Sequence, residues 1–344
     1  MKSLLKYFLF CFSFFGVIGS VNAQTILRVS NWLPPTHHIT TNIIQVWADN
    51  VEKATNGRVK VQLLPALGKP EAHFDLVKNG VADIAMGVDG YTADRFKLPY
   101  AVKLPFLADD GTAATVAYWR THQKHFAKYN EFDGVKLIAL WVHTPGHIYT
   151  VNKKVARIDD LKGMKIRVPG DVVQEIATEL GIAPVFAPAS QAFDMLSKGV
   201  VDGIFFNHDS IRSFKLERAV KHALIFPTGL YRDSHYMIMN QKKFDSLSKS
   251  DKDAIDSVSG EVMAWIAGKA WDEADTKAMD LLKSMQFDLT VASPALQDEI
   301  KKKLQPLETK WLDRAKSMGL DGRAVLEDYK SEITKVKAEM KTRK

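Results

Sequence analysis

Histidine and aromatic side chains supply most of the chemistry this sequence could do. His37 and His38 are adjacent, while His143 and His147 lie four apart with Pro145-Gly146 between them. That Pro-Gly forbids the helix that would set both of the latter on one face, and two neighbouring side chains are not expected to point the same way, so no metal site is expected from either pair. Cys11 is the only cysteine. It sits in an N-terminal segment that reads as a leader, which leaves no thiol for disulfides, zinc thiolates or a cysteine nucleophile. The sequence carries no G-x-S-x-G, H-E-x-x-H, Walker A or strand-linked G-x-G-x-x-G, and Gly68-Lys69 lacks the flanking glycine and hydroxyl of a phosphate loop. No cofactor is expected. The chemistry that remains is binding, with Trp32, Tyr91, Phe106 and Trp141 as candidates for an aromatic wall.

The leader is legible in its own composition. Lys2 and Lys6 precede an almost wholly apolar run from Leu4 to Ile18, and Val21-Asn22-Ala23 supplies small residues for cleavage after Ala23. The run is shorter than the roughly 20 residues a membrane span requires, so residues 1–23 read as a signal peptide and the remainder as exported to the periplasm. The chain of 344 residues, 46% hydrophobic and 25% charged, has ordinary globular composition and room for about two domains. Its formal charge of +7 includes the two leader lysines. The excess is mild and scattered, which excludes a nucleic-acid stripe and suits an anionic small ligand.

Periodicity shows an internal duplication. Ile26–Ser30 reads as a strand, Ile43 to Ala54 as a helix ended by Gly57, Val59–Leu63 as an alternating strand, Phe74 to Val77 as a short helix, and Val81–Met86 as a third strand. The same β-α-β-α-β order returns from Lys165 to Phe206. Phe74-Asp75, Gly80-Val81 and Asp83 reappear as Phe193-Asp194, Gly199-Val200 and Asp202 at identical spacing. Two such units imply two α/β lobes with a cleft where the strand C-terminal ends and the positive helix N-termini converge. The loops at those ends are residues 32–40, 87–91, 169–172 and 205–210, which place His37, Asp89, Tyr91 and Pro169 at the cleft. Residues 135–152 and 231–240 read as the crossings between lobes. A long helix is expected after Ser250, with Ile255, Val258, Val262, Trp265, Ile266 and Ala270 on its packed face. The basic C-terminal part reads as a solvated helix.

The segments "RVSNWLPPTHH", "LVKNGVADIAMG", "DLKGMKIRVPG" and "LSKGVVDGIFFN", in this order over essentially the whole exported chain, resemble the solute-binding subunits of tripartite ATP-independent periplasmic (TRAP) transporters, the DctP family. The resemblance implies a type II-like two-lobe periplasmic binding protein with a helix spanning both lobes. It closes over a small organic acid and delivers it to a permease of a large and a small membrane subunit, as a monomer. The division expected is 24–147 with 236–280 in one lobe and 148–235 with 281–344 in the other. The family's carboxylate-clamping arginine falls on Arg167, whose guanidinium offers two parallel donors and stays charged when desolvated. A second basic position falls on His147, a departure from the usual arginine. The polar residue that relatives place after "VDG" falls on Phe206, with Asn207 beside it, so Asn207 or an aromatic wall from Phe205 or Phe206 takes that place. Only one of the two phenylalanines faces the cleft, since neighbouring strand residues alternate. An aromatic wall from Trp141 or Phe205, with His147 in place of a second arginine, favours a monocarboxylate over a dicarboxylate. The rival classes are a periplasmic enzyme acting on an organic acid and a receptor for a sensor kinase or ATP-driven transporter.

Overall fold

The structure, a computed structural model, describes residues 24–343; the leader and Cys11 lie outside the described residues. The strands are β1 (Thr25–Asn31), β2 (Val59–Pro65), β3 (Ile84–Val88), β4 (Val135–Val142), β5 (His147–Thr150), β6 (Lys165–Val168), β7 (Ala183–Phe186), β8 (Gly203–Phe206), β9 (His222–Ile225), β10 (Ser234–Asn240) and β11 (Asp288–Val291). The α-helices are α1 (Gln45–Ala54), α2 (His73–Lys78), α3 (Gly111–Thr121), α4 (Asp171–Glu179), α5 (Ala192–Ser197), α6 (His208–Ser213), α7 (Gln241–Asp245), α8 (Lys249–Ser257), α9 (Glu261–Ser284), α10 (Pro294–Ser317) and α11 (Gly322–Thr342).

Two sheets form, in the orders β2-β1-β3-β10-β4 and β11-β9-β5-β8-β6-β7. β1 pairs in parallel with β2 and β3, and β6 pairs in parallel with β7 and β8. In each sheet the third strand of the repeat is then flanked by an antiparallel strand from the other half of the chain's path, β10 beside β3 and β5 beside β8. The duplicated residues repeat their bonds as well as their spacing. Asp83 accepts the Arg28 backbone N–H at 2.8 Å, and Asp202 accepts that of Lys165 at 2.8 Å, so the same aspartate ties the turn before the third strand to the first strand of each unit. The turn also explains why β3 begins at Ile84 rather than Val81. The repeat ends at the aromatic: Phe74 is buried, while Phe193 is half exposed.

The helix expected after Ser250 is broken. Gly260 takes φ +63°, separating α8 from α9. α9 then buries Met263, Ala267, Gly268 and Trp271, whereas Val262 is exposed. Small residues lead this face because the helices touch: a Cβ on Gly268 would lie 2.6 Å from Thr112 Cα on α3. Asp272 on α9 receives the backbone N–H groups of Gly111 (2.6 Å) and Thr112 (2.9 Å), capping α3 from outside. α9 packs on α3 and β4 of one sheet's side and on α6 of the other, and so spans both. The C-terminal helix differs from the solvated face expected of it. α11 lies along α3 and buries Val325, Leu326, Tyr329, Ile333 and Val336, while Arg120 binds Glu332 and Glu339 at 3.2 and 2.8 Å.

Candidate functional site

The C-terminal ends of β1, β3, β6 and β8 converge on one cleft with an empty volume of about 460 Å³. Trp32, His37, Met86, Tyr91, Arg167, Pro169, Phe206 and Asn207 line it from those ends; Tyr231, Asp233 and His235 come from the crossing into β10, and Trp271 from α9.

Arg167 is the charge at its centre. The side chain is 1% exposed, its Nε donates to Ala187 O at 2.7 Å, and its guanidinium carbon lies 4.8 Å from the centre of the Phe206 ring. Nη2 is buried with no hydrogen-bond partner, and no carboxylate among the described residues pairs with the group. A cation taken out of water without a counter-ion is costly, so such a group is retained where something else supplies the anion. The fork geometry of guanidinium suits a carboxylate.

The remaining titratable groups leave Arg167 as the cleft's cation. Burial, with His38 beside it, holds His37 down at about 3, and burial holds His143 at about 3 and His235 well below the usual range. All three are neutral near pH 7. His143 has a fixed tautomer, donating from Nδ1 to Thr144 O (2.5 Å) and accepting the Asp233 backbone N–H at Nε2 (2.8 Å). Burial raises Tyr91, so its hydroxyl keeps its proton while accepting the Ala189 N–H at 2.9 Å. Beside the cleft, Lys103 reaches Asp171 (2.5 Å), Asp89 (3.0 Å) and Asp233 (3.8 Å). Burial raises Asp89 and Asp233 despite that ammonium.

Several residues expected at the cleft lie elsewhere, each for a physical reason. Trp141 stacks behind His235, 5.7 Å away and nearly parallel. Phe205 points to the other face of β8, stacked on Tyr231. Asp89 turns away to Lys103 and Ser234. His147 lies tilted against His208 at 4.3 Å, accepts the Phe226 N–H, and opens to a separate depression with Asp272 and Asp275. Phe106 borders a surface groove beside α10. Asn207 lines the cleft but is engaged as the cap of α6, with Oδ1 accepting from Ser210 N and Nδ2 donating to Thr144. His37 and His38 both point inward, against expectation, because the chain turns into a helix at once and stacks their rings 4.8 Å apart. Their nitrogens and an Asp209 oxygen come within 4.8 Å of one another, the donor set a metal would need. Asp209 is already engaged by His38 (2.7 Å), Arg212 (3.0 Å) and Ser213 (2.9 Å).

Tyr231, Asp233, His235 and Trp271 were not foreseen. The first three carried a signal, since i, i+2, i+4 spacing on a strand puts them on one face; Trp271 carried none.

The comparisons with known proteins agree with this geometry. Residues 29–314 match the model of the bacterial extracellular solute-binding protein family 7, DctP. The outer membrane transporter protein TsaT of Comamonas testosteroni is 31% identical over 92% of this chain and 94% of its own. A TRAP periplasmic solute binding protein from Bordetella bronchiseptica, solved with (R)- and (S)-mandelate, superposes with a TM-score of 0.89 at 38% identity, covering 91% of this chain and 99% of that one. One from Rhodoferax ferrireducens, with copurified benzoate, gives 0.85 at 28% identity over 91% and 98%. With two sheets, a helix across both and an unpaired arginine in the cleft between them, the chain belongs to the DctP family of bacterial extracellular solute-binding proteins, the solute receptors of TRAP transporters.

Proposed function

We propose that this receptor captures an aromatic monocarboxylate. The observation that carries this reading is Arg167: a buried guanidinium with an unpartnered Nη2, the cleft's one fixed cation, inside walls of Trp32, Tyr91, Phe206, Phe214, Tyr231 and Trp271. One cation matches one carboxylate, and aromatic walls match an apolar body. The mandelate and benzoate found in the two similar structures support the same class.

Capture proceeds by closure of two lobes, 24–147 with 236–280 and 148–235 with 281–344, about the crossings near Asn152 and Tyr231. The contact of the Gly90 and Gly170 backbones at the cleft rim supports a closed arrangement, since a Cβ on Gly170 would lie 2.6 Å from Gly90 O. The receptor works in the periplasm after leader cleavage and hands its ligand to the TRAP permease subunits.

The test is thermal shift of the exported chain against benzoate, mandelate and phenylacetate, with succinate, galactonate, neutral sugars and amino acids alongside. Ligand that binds only the folded state raises Tm. Stabilisation by the aromatic acids and not by succinate is the expected result. Stabilisation only by dicarboxylates or uncharged ligands overturns the reading.

A further inference from the structure

Arg167 is not the only unanswered group in the cleft. Asp233 Oδ2, His235 Nδ1 and Trp271 Nε1 are also buried and without partners, and all three residues are less than a tenth exposed. Asp233 stands out among them, because an unmatched carboxyl oxygen is more costly than an unmatched neutral N–H or imidazole nitrogen.

The rest of Asp233 is held on every side. Oδ1 accepts the Ser234 backbone N–H at 3.0 Å and lies 3.8 Å from Lys103 Nζ, an ammonium shared with Asp89 and Asp171. Its backbone N–H is fixed on His143. The carboxyl group rests against Gly90, where even a Cβ would come within 3.1 Å of both oxygens. Four contacts therefore fix the group and leave Oδ2 as the unmatched atom of a residue that lines the cleft. Arg167 does not supply the match: it shares the cleft with Asp233, yet no ion pair joins them. A ligand that satisfies both must carry a carboxylate for one and a second polar group for the other. A hydroxyl is the small group that answers Asp233 in either protonation state, donating to a carboxylate and accepting from a carboxylic acid.

We propose that Asp233 is a specificity-determining residue that binds a hydroxyl of the ligand held by Arg167, so that the receptor selects hydroxylated aromatic monocarboxylates over their unsubstituted parents. This rests on the aromatic-monocarboxylate reading above. His235 and Trp271 form the neutral remainder of the same polar wall.

Calorimetric titration of the exported chain with matched pairs tests it: mandelate against phenylacetate, and the three hydroxybenzoates against benzoate. In the wild type at least one hydroxylated acid binds tenfold or more tightly than its parent. In Asp233→Ala that ratio falls below threefold, and in the near-isosteric Asp233→Asn, whose amide still bonds a hydroxyl, it falls part of the way. The proposal is overturned if no hydroxylated acid outbinds its parent, or if the ratio survives in both variants. Failure of the underlying reading looks different: neither parent nor hydroxylated acid binds, and the proposal falls with it.

Discussion

Among the described residues three cations are buried, Lys103, Arg167 and Arg232; Arg232 is held by the Ala108 and Asp110 carbonyls away from the cleft, and the other two are treated in opposite ways. Lys103 is wholly buried and surrounded by Asp171, Asp89 and Asp233, whose charges hold its ammonium protonated although burial acts to lower it. Arg167 is 1% exposed and meets a carbonyl, an aromatic face and an unsatisfied Nη2. The lysine has more anions than it can neutralise; the arginine has none. Charge surrounded by counter-charge joins parts of the chain, here the end of β3 and the starts of α4 and β10, whereas charge left unmatched in a lined cleft is available to something from outside.

The largest expected effects separate the two. Lys103→Met leaves buried Asp89 and Asp233 without their cation, while Asp171 keeps Arg314 at 3.9 Å, and should cost about 3–5 kcal/mol of stability, the range for breaking a buried ion pair from one side. Arg167→Met removes a cation that nothing in the fold pairs, so urea melts of the ligand-free protein should show equal or higher stability. The same variant should lose at least roughly 100-fold in affinity for an aromatic acid, and with it the ligand-dependent rise in Tm. Stability loss in Arg167→Met with none in Lys103→Met would invert the comparison.

Protons act on the two regions with opposite sign, at a smaller scale. Burial raises Asp89 and Asp233, so their contribution is present below the ordinary carboxyl range and is lost as pH rises through their folded values. Around Arg167 the histidines are depressed, His37 and His143 to about 3, so their contribution is complete above 6.5 and is lost as pH falls toward 3. Each such histidine then costs up to about 1.4 kcal/mol per pH unit below 6.5. His37 Nδ1 accepts the Ile39 N–H at 3.2 Å, a bond an asparagine can also accept, so His37→Asn removes the titration and keeps the turn. Stability of His37→Asn measured between pH 6.5 and 5 should fall less steeply than wild type by about that amount per unit. Equal slopes would show that His37 does not titrate with unfolding.

Much of this contrast was legible in the sequence, but unevenly. The duplicated Phe-Asp and Gly-Val spacing identified the two units, and the strand pattern gave the ends of β6 and β8, because strand and turn periodicity are local properties; β3 instead runs two residues past the expected Met86. Arg167 came from its resemblance to a family motif; a lone arginine ending a strand would not have marked it. The cluster at Lys103 was invisible, since Asp89, Lys103, Asp171 and Asp233 meet only through the tertiary fold and no spacing relates them. His147 and Trp141 were misplaced for a similar reason. Counting fixed their place along the chain, but Trp141 is screened from the cleft by its cross-strand partner His235, and His147 turns to His208 and the Phe226 N–H. At Phe205-Phe206 the alternation was clear, and only the face was not.

That pair gives the finest test of where the binding region ends. Phe206 lies under the Arg167 guanidinium and stacks on Phe214, whereas Phe205, on the opposite face of β8, is fully buried against Tyr231. Replacing Phe206 by leucine removes an aromatic ring from the cleft wall, a contact with an aromatic ligand worth about 0.5–1.5 kcal/mol, a loss of roughly 2- to 10-fold in affinity for an aromatic acid. Replacing Phe205 by leucine is a change within the core, expected to lower stability by about 1–1.5 kcal/mol. Its effect on affinity should be smaller than that of Phe206→Leu, because the ring it shortens touches the cleft only through Tyr231. Titration and urea melts on both variants should therefore give opposite rankings. Equal losses of affinity would mean that the packing behind β8 sets the position of Arg167 as much as the aromatic face beneath it does, and the boundary between the unsatisfied site and its satisfied surroundings would have to be drawn one layer deeper.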